Sequence, residues 1–149
     1  MKLFISADIE GCVGTTLASE THKETPEYRQ FAKRMTDEVR IVCQAALEAG
    51  ADEIVVKDGH GDATNIDFTA MPEGVTLIRG KSGHPYNMMF GLDETFDGVL
   101  YVGYHAPAGN GGNPISHTST GNSNQILLNG KVMSEFMLNT YTAAMMGVP

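Results

Sequence analysis

An apolar rhythm bracketed by two short apolar runs sets the strongest limit on how this chain can fold. Tyr28, Phe31, Met35, Val39, Val42, Ala46 and Ala49 recur at steps of three and four residues up to Gly50, the pattern of one buried helix face. The pair Thr25-Pro26 marks the expected helix start, and Gly50 its stop. Before it stands Lys2 to Ala7, with Leu3, Phe4 and Ile5; after it stands Glu53 to Lys57, with Ile54, Val55 and Val56. Each run reads as a buried strand. Two strands joined through a helix pair in parallel, so the first third of the chain specifies a βαβ unit.

The remainder extends that unit. Val75 to Arg79 and Val99 to Val102 read as a third and a fourth strand, with a short helix around Met88 to Leu92 between them. Ala106 to Pro114 is rich in Gly, Pro and Asn, which predicts an irregular loop long enough to carry function. Asn129-Gly130, between Ile126 to Leu128 and Lys131 to Met133, is a hairpin signature, and a helix from Ser134 to Met146 comes next. The expected fold is therefore α/β, a Rossmann-like three-layer parallel sheet with a smaller α+β portion. Residues 1–105 form the Rossmann-like core, and residues 106–149 supply loop, hairpin and helix. Gly147-Val148-Pro149 falls where a further strand is expected, so the fold is expected to be incomplete in this chain.

Composition narrows the partners. A 149-residue chain that is 42% hydrophobic can build one core. A formal net charge of −8 repels phosphate backbones and anionic lipid, and no Lys or Arg cluster offsets it, which argues against nucleic acid and membrane partners. The apolar start is broken at Asp8 and Glu10, unlike a signal peptide, and no apolar stretch reaches the length of a membrane span. Cys12 and Cys43 read as free thiols of a cytoplasmic protein.

Asp8, His60 and His105 each come just after a different expected strand, and in open α/β sheets ligands bind beyond the strands' carboxyl ends. Asp8 and Glu10, two apart in extended chain, point the same way. Carboxylate and imidazole together suit zinc, manganese or cobalt. Each residue also has an ordinary structural reading. Asp8 and Glu10 could be turn or cap acids, His60 in DGHG a turn histidine and His105 a satisfied core histidine; Glu135 could be a capping acid in a helix's first turn. His117, His22 and His84 have no spacing argument and read as loop residues. The methionines, Met88 and Met89 among them, read as core filling.

Five segments together resemble the DppA-type D-aminopeptidases, a family of binuclear zinc peptidases. They are SADIEG at Ser6 to Gly11, DGHGDATN at Asp58 to Asn65, MMFGLDETFDGVLYVGYHAPAG at Met88 to Gly109, ISHT at Ile115 to Thr118 and NGKVMSEFMLNTY at Asn129 to Tyr141. The resemblance runs across the whole chain and corresponds to the N-terminal part of the family's longer members. It implies two Zn2+ per chain: Asp8 bridges both, Glu10 and His105 bind one, His60 and Glu135 bind the other, and His117 is the catalytic residue, as nucleophile or general base. It implies an aminopeptidase acting on short peptides, with D-residues preferred, assembled as a large homo-oligomer such as a ring. Two departures from the family pattern are Ser134 where glycine is expected and Asp58-Gly59 in place of Asp-Ser. The alternatives are a metal-dependent hydrolase of another bond on the same fold, such as a phosphoester, and a non-catalytic metal- or ligand-binding fragment. The first would call for a basic phosphate clamp, which the sequence lacks.

Overall fold

A computed structural model describes residues Met1–Pro149. Strands β1 (Lys2–Ala7), β2 (Glu53–Asp58), β3 (Val75–Ile78) and β4 (Gly98–Val102) form one sheet in the order β3-β2-β1-β4. All three pairings are parallel. A helix α1 (Tyr28–Glu48) crosses between β1 and β2, a two-stranded antiparallel hairpin joins β5 (Leu127–Leu128) to β6 (Lys131–Val132), and helix α2 (Glu135–Met145) closes the chain.

The alternation of side chains along β1 makes the three layers. Leu3, Ile5 and Ala7 point to one face and pack with Met35, Val39, Cys43 and Ala46 of α1. Phe4 points to the other, where it meets Val55, Met89, Phe96, Ala143 and Val148. Both faces of the sheet are covered, as a parallel sheet requires. Ile5, Val39 and Ile54 are fully buried, each contributing about 1.5–3 kcal/mol through burial.

Register decides where the site can form. Ser6 lies level with Lys57 and Tyr101, and Ala7 with Asp58 and Val102, so β2, β1 and β4 end together. The loops beyond β1, β2 and β4 therefore all leave the sheet at one edge.

Helix α1 begins at Tyr28, beyond the Thr25-Pro26 signal. The Thr25 hydroxyl is already engaged, donating to the carbonyls of His22 (2.6 Å) and Ser19, so it closes the preceding turn and does not cap the helix. Around Met88 only a 3-10 turn forms, Asn87–Met89, because Phe90 is extended and Gly91 takes φ +103°. Two further 3-10 turns, Ala18–Glu20 and Phe68–Ala70, carry no strong sequence signal.

Candidate metal centre

Backbone constraints bring the expected ligands to the sheet edge. Beyond β1, the Asp8 amide donates to Val102 O at 2.8 Å and the Gly11 amide to Gly103 O at 2.7 Å, which holds the Asp8–Glu10 turn against the end of β4. Gly103 has φ +68°, and a side chain there would collide with the Asp8 carbonyl and the Cys12 sulfur. Only glycine lets the chain turn at that point and carry His105 over Asp8.

The loop after β2 is fixed from beneath. Asp58 is fully buried, and its carboxylate accepts from the amides of Asn65 (2.6 Å) and Ile66 (2.8 Å) and from Asn65 Nδ2 (2.7 Å). Asn65 Nδ2 also donates to the His60 carbonyl at 2.7 Å, and Tyr28 Oη donates to Asn65 Oδ1 at 2.7 Å. A buried carboxylate without a cationic partner is thus satisfied by amides, and the loop bearing His60 is closed around it. Gly59, the departure from the expected serine, packs so tightly that a Cβ would lie 2.6 Å from Met88 Cε and 2.8 Å from the Ala7 carbonyl. With Met88 in that place, only glycine fits.

Ser134, the other departure, caps α2: its Oγ accepts from the Met137 amide at 3.1 Å, which puts Glu135 in the helix's first turn. Thr118 Oγ1 donates to Met133 O at 2.9 Å and accepts from the Ala108 amide at 3.1 Å, tying the 106–118 loop to the start of α2. His117 is thereby set beside Glu135.

All five expected ligands and His117 meet. His60 Nδ1 lies 2.9 Å from Glu10 Oε1 and 3.5 Å from Asp8 Oδ1. His105 Nε2 lies 3.5 Å from Asp8 Oδ2 and 3.4 Å from Glu135 Oε1. His117 Nε2 lies 3.4 Å from Glu135 Oε1 and 4.0 Å from Glu10 Oε1. Backbone carbonyls hold the far nitrogen of each ring: Thr21 O at 2.9 Å from His60 Nε2, Ala106 O at 3.0 Å from His105 Nδ1, and Ile115 O at 3.0 Å from His117 Nδ1. Such partners select the tautomer that turns a lone pair inward, as metal-binding histidines require.

The donor set fits a divalent metal. Glu10 Oε2 and His105 Nε2 are buried with no hydrogen-bond partner, an arrangement costly unless another ligand uses those atoms. Ligand atoms of Asp8, Glu10 and His105 lie within 4.8 Å of one another, as do those of His105, His117 and Glu135. The first group coincides with one of the two sets that the family resemblance implies. His60 and Glu135 do not fall in a common group; the nearest carboxylates to His60 are Glu10 and Asp8.

Crowding of like charges sorts the protons. Burial, with the charge of Glu10 beside it, raises Asp8 to about 8 in spite of its hydrogen bond to His60. Burial works against the charge on Glu10 too, but hydrogen bonds to His60 and Asp8 outweigh it and lower the group to about 2. Against their own burial, His60 is raised to about 10 by Asp8 and Glu10, and His105 to about 9 by Glu135 and Asp8. Glu135 is lowered, its burial overcome by His105 and the Ser119 amide. Without metal, imidazolium and carboxylate neutralise each other here.

Asp8, Glu10, His60, His117 and Glu135 line a cavity of about 490 Å³, with His105 buried behind them. Its outer wall adds His22, Lys81 and Asn87, which no sequence signal singles out. Asn87 has φ +45°, an uncommon conformation outside glycine. His84 is exposed and packs its ring on Tyr86, away from the cavity. Cys12 and Cys43 are free and buried.

Fold and site together define an α/β protein with a carboxylate–imidazole centre at the carboxyl edge of a parallel sheet. The chain belongs to the peptidase M55 family, described as D-aminopeptidase, whose profile matches residues 1–149. It is 32% identical over 149 residues to a D-aminopeptidase of Bacillus subtilis (strain 168), a match covering 100% of this chain and 54% of that protein. Among solved structures, it is similar to the Zn-dependent D-aminopeptidase DppA from Bacillus subtilis, described as a self-compartmentalizing protease. That match has a TM-score of 0.94 and 31% identity, over 100% of this chain and 54% of the other. The chain therefore spans about half the length of the relatives it matches.

Proposed function

We propose that this chain carries the metal centre of a zinc-dependent aminopeptidase that removes N-terminal residues, D-residues by preference, from short peptides. The observation that carries the proposal is the convergence of Asp8, Glu10, His60, His105 and Glu135 at one sheet edge, with two of their buried polar atoms unpartnered. The Zn-dependence of the relative supports zinc as the metal, and its D-aminopeptidase name supports the substrate.

In this reading Glu10 and His105 would hold one zinc ion, His60 and Glu135 the other, and Asp8 would serve both. Zinc bound there supplies Lewis-acid polarisation of the scissile carbonyl and acidifies water. His117 is not needed as a ligand. With Nδ1 donating to Ile115 O, its Nε2 carries a lone pair on a side chain 25% exposed at the cavity wall, suited to take a proton or attack a carbonyl. Residues 1–105 then supply four of the ligands, while residues 106–149 supply Glu135 and His117.

The relative's self-compartmentalizing character supports assembly into a large homo-oligomer. No helix is long and apolar enough to cross a membrane, and two buried free thiols suit a cytoplasmic setting. Hydrolysis of matched D- and L-dipeptides by the full chain, with zinc and after chelation, tests the function. Zinc-dependent release of N-terminal D-residues is the expected result; turnover that survives chelation, or none with zinc restored, contradicts it.

A further inference from the structure

Behind the metal centre lies a chain of hydrogen bonds, buried at Ser6 and part-buried at Tyr104, that touches none of its ligands. Asn139 Nδ2 is 2.9 Å from Tyr104 Oη, Tyr104 Oη is 2.7 Å from Ser6 Oγ, and Ser6 Oγ is 2.9 Å from the Met88 carbonyl. Its direction is fixed at both ends, because an amide NH2 can only donate and a carbonyl can only accept. Asn139 therefore donates to Tyr104, Tyr104 to Ser6, and Ser6 to Met88 O. Ser6 is fully buried, and so nearly is Asn139.

Each member sits beside a ligand. Ser6 is two residues before Asp8 on β1, on the sheet face that Phe4 turns toward α2. Tyr104 immediately precedes His105. Asn139 is one turn beyond Glu135, on the same face of α2. The β1 and β4 segments are already locked by strand pairing, but α2 is outside the sheet. Beyond Glu135 itself, Asn139 is the one residue of α2 whose side chain hydrogen-bonds out of the helix, to Tyr104 and, at 3.5 Å, to Met88 Sδ.

We infer that Ser6, Tyr104 and Asn139 are positioning residues that set the approach of Glu135 to His105 and Asp8, and so the affinity of the metal that Glu135 holds. The inference rests on the two-metal reading of the site. Tyr104→Phe removes one oxygen from the middle of the chain, and Asn139→Leu removes its donor.

Zinc affinities of the chelator-stripped full chain are measured by competition with a chromophoric chelator, and Glu135→Ala identifies which binding step belongs to Glu135. In Tyr104→Phe and Asn139→Leu that step weakens about tenfold or more while the other stays within about twofold. The double variant is no weaker than the worse single, since both break one chain. Asn139→Gln, which keeps a donor, restores part of the loss. Steps that are unchanged, or weakened equally as a merely structural lesion would do, overturn the inference. If Asn139→Leu fails to fold, Tyr104→Phe decides alone. A parent chain that binds no zinc is a different result and overturns the metal reading beneath it.

Discussion

The rings of His105 and His117 lie stacked, with centroids 4.1 Å apart and planes 14° from parallel. Both present Nε2 3.4 Å from the same Glu135 oxygen. The residue proposed for chemistry is thus braced against a residue proposed for coordination.

His117 is nonetheless separable by mutation. His105 is independently held by the Ala106 carbonyl, so His117→Ala leaves it in place. Turnover should fall by about 10²–10⁴, the usual contribution of a positioned acid–base group, with zinc content nearly unchanged. Metal analysis alongside kinetics checks this. Zinc lost together with activity would make His117 a ligand, as its grouping with His105 and Glu135 allows.

Metal must displace protons. His60 and His105, raised to about 10 and about 9, are protonated at neutral pH in the metal-free protein, and Asp8, raised to about 8, largely so. Zinc binding at about pH 7.5 should release at least the two imidazole protons. Calorimetry in buffers of different ionisation enthalpy reads the number directly. An apparent enthalpy that does not vary with the buffer contradicts the proton-filled centre.

The same shifts give the metal-free protein a pH-dependent stability. Histidines ordinarily titrate near 6.5, so the raised values of His60 and His105 contribute stability that is complete below that pH and is lost as pH rises through about 9 and 10. Asp8 acts in the same sense, losing its contribution as pH rises through about 8. Glu10, lowered to about 2, contributes stability above its ordinary 4.5 and loses it only as pH falls toward 2. Melting temperature in chelator should therefore fall between about pH 7 and pH 10. A flat or rising profile contradicts the pairing.

Asn65 joins Asp58, the His60 carbonyl and Tyr28. Asn65→Ala leaves buried polar groups short of partners, at a cost of about 1–3 kcal/mol for such a loss. Urea unfolding measures it, and zinc affinity should weaken too, because the His60 loop is loosened. Wild-type stability in the variant would show that the Asp58 network does not hold the loop.

The fold was largely legible where periodicity and burial coincide. The runs at Leu3 to Ile5 and Ile54 to Val56 and the helical stripe from Tyr28 to Ala46 each report one dominant force, and each became the element expected. Thr25 misled because a hydroxyl near a helix start can serve either the helix or the turn before it, and only the tertiary path decides. For the site, residue types and strand-end placement pointed to Asp8, Glu10, His60 and His105, whereas Glu135 and His117 were singled out only by the family resemblance. The chain from Ser6 to Tyr104 to Asn139 was not legible, since its members are far apart in sequence and each alone is an ordinary polar residue. Nor was the place of His22 and Lys81 on the cavity wall, which depends on how two loops fold over the edge.

Whether Asp8, Glu10, His60, His105 and Glu135 form one two-metal centre comes down to a count of bound zinc. The decisive measurement is the zinc stoichiometry of the chelator-stripped full chain, by equilibrium competition at about pH 7.5, where metal must outcompete the imidazole protons. The histidine-to-alanine variants at positions 60, 105, 22 and 84 are measured beside the parent. Two zinc ions per chain are expected in the parent, fewer in the His60 and His105 variants, and two still in the His22 and His84 variants. A parent that binds one zinc or none, or His60 and His105 variants that still bind two at parental affinity, would refute the two-metal centre.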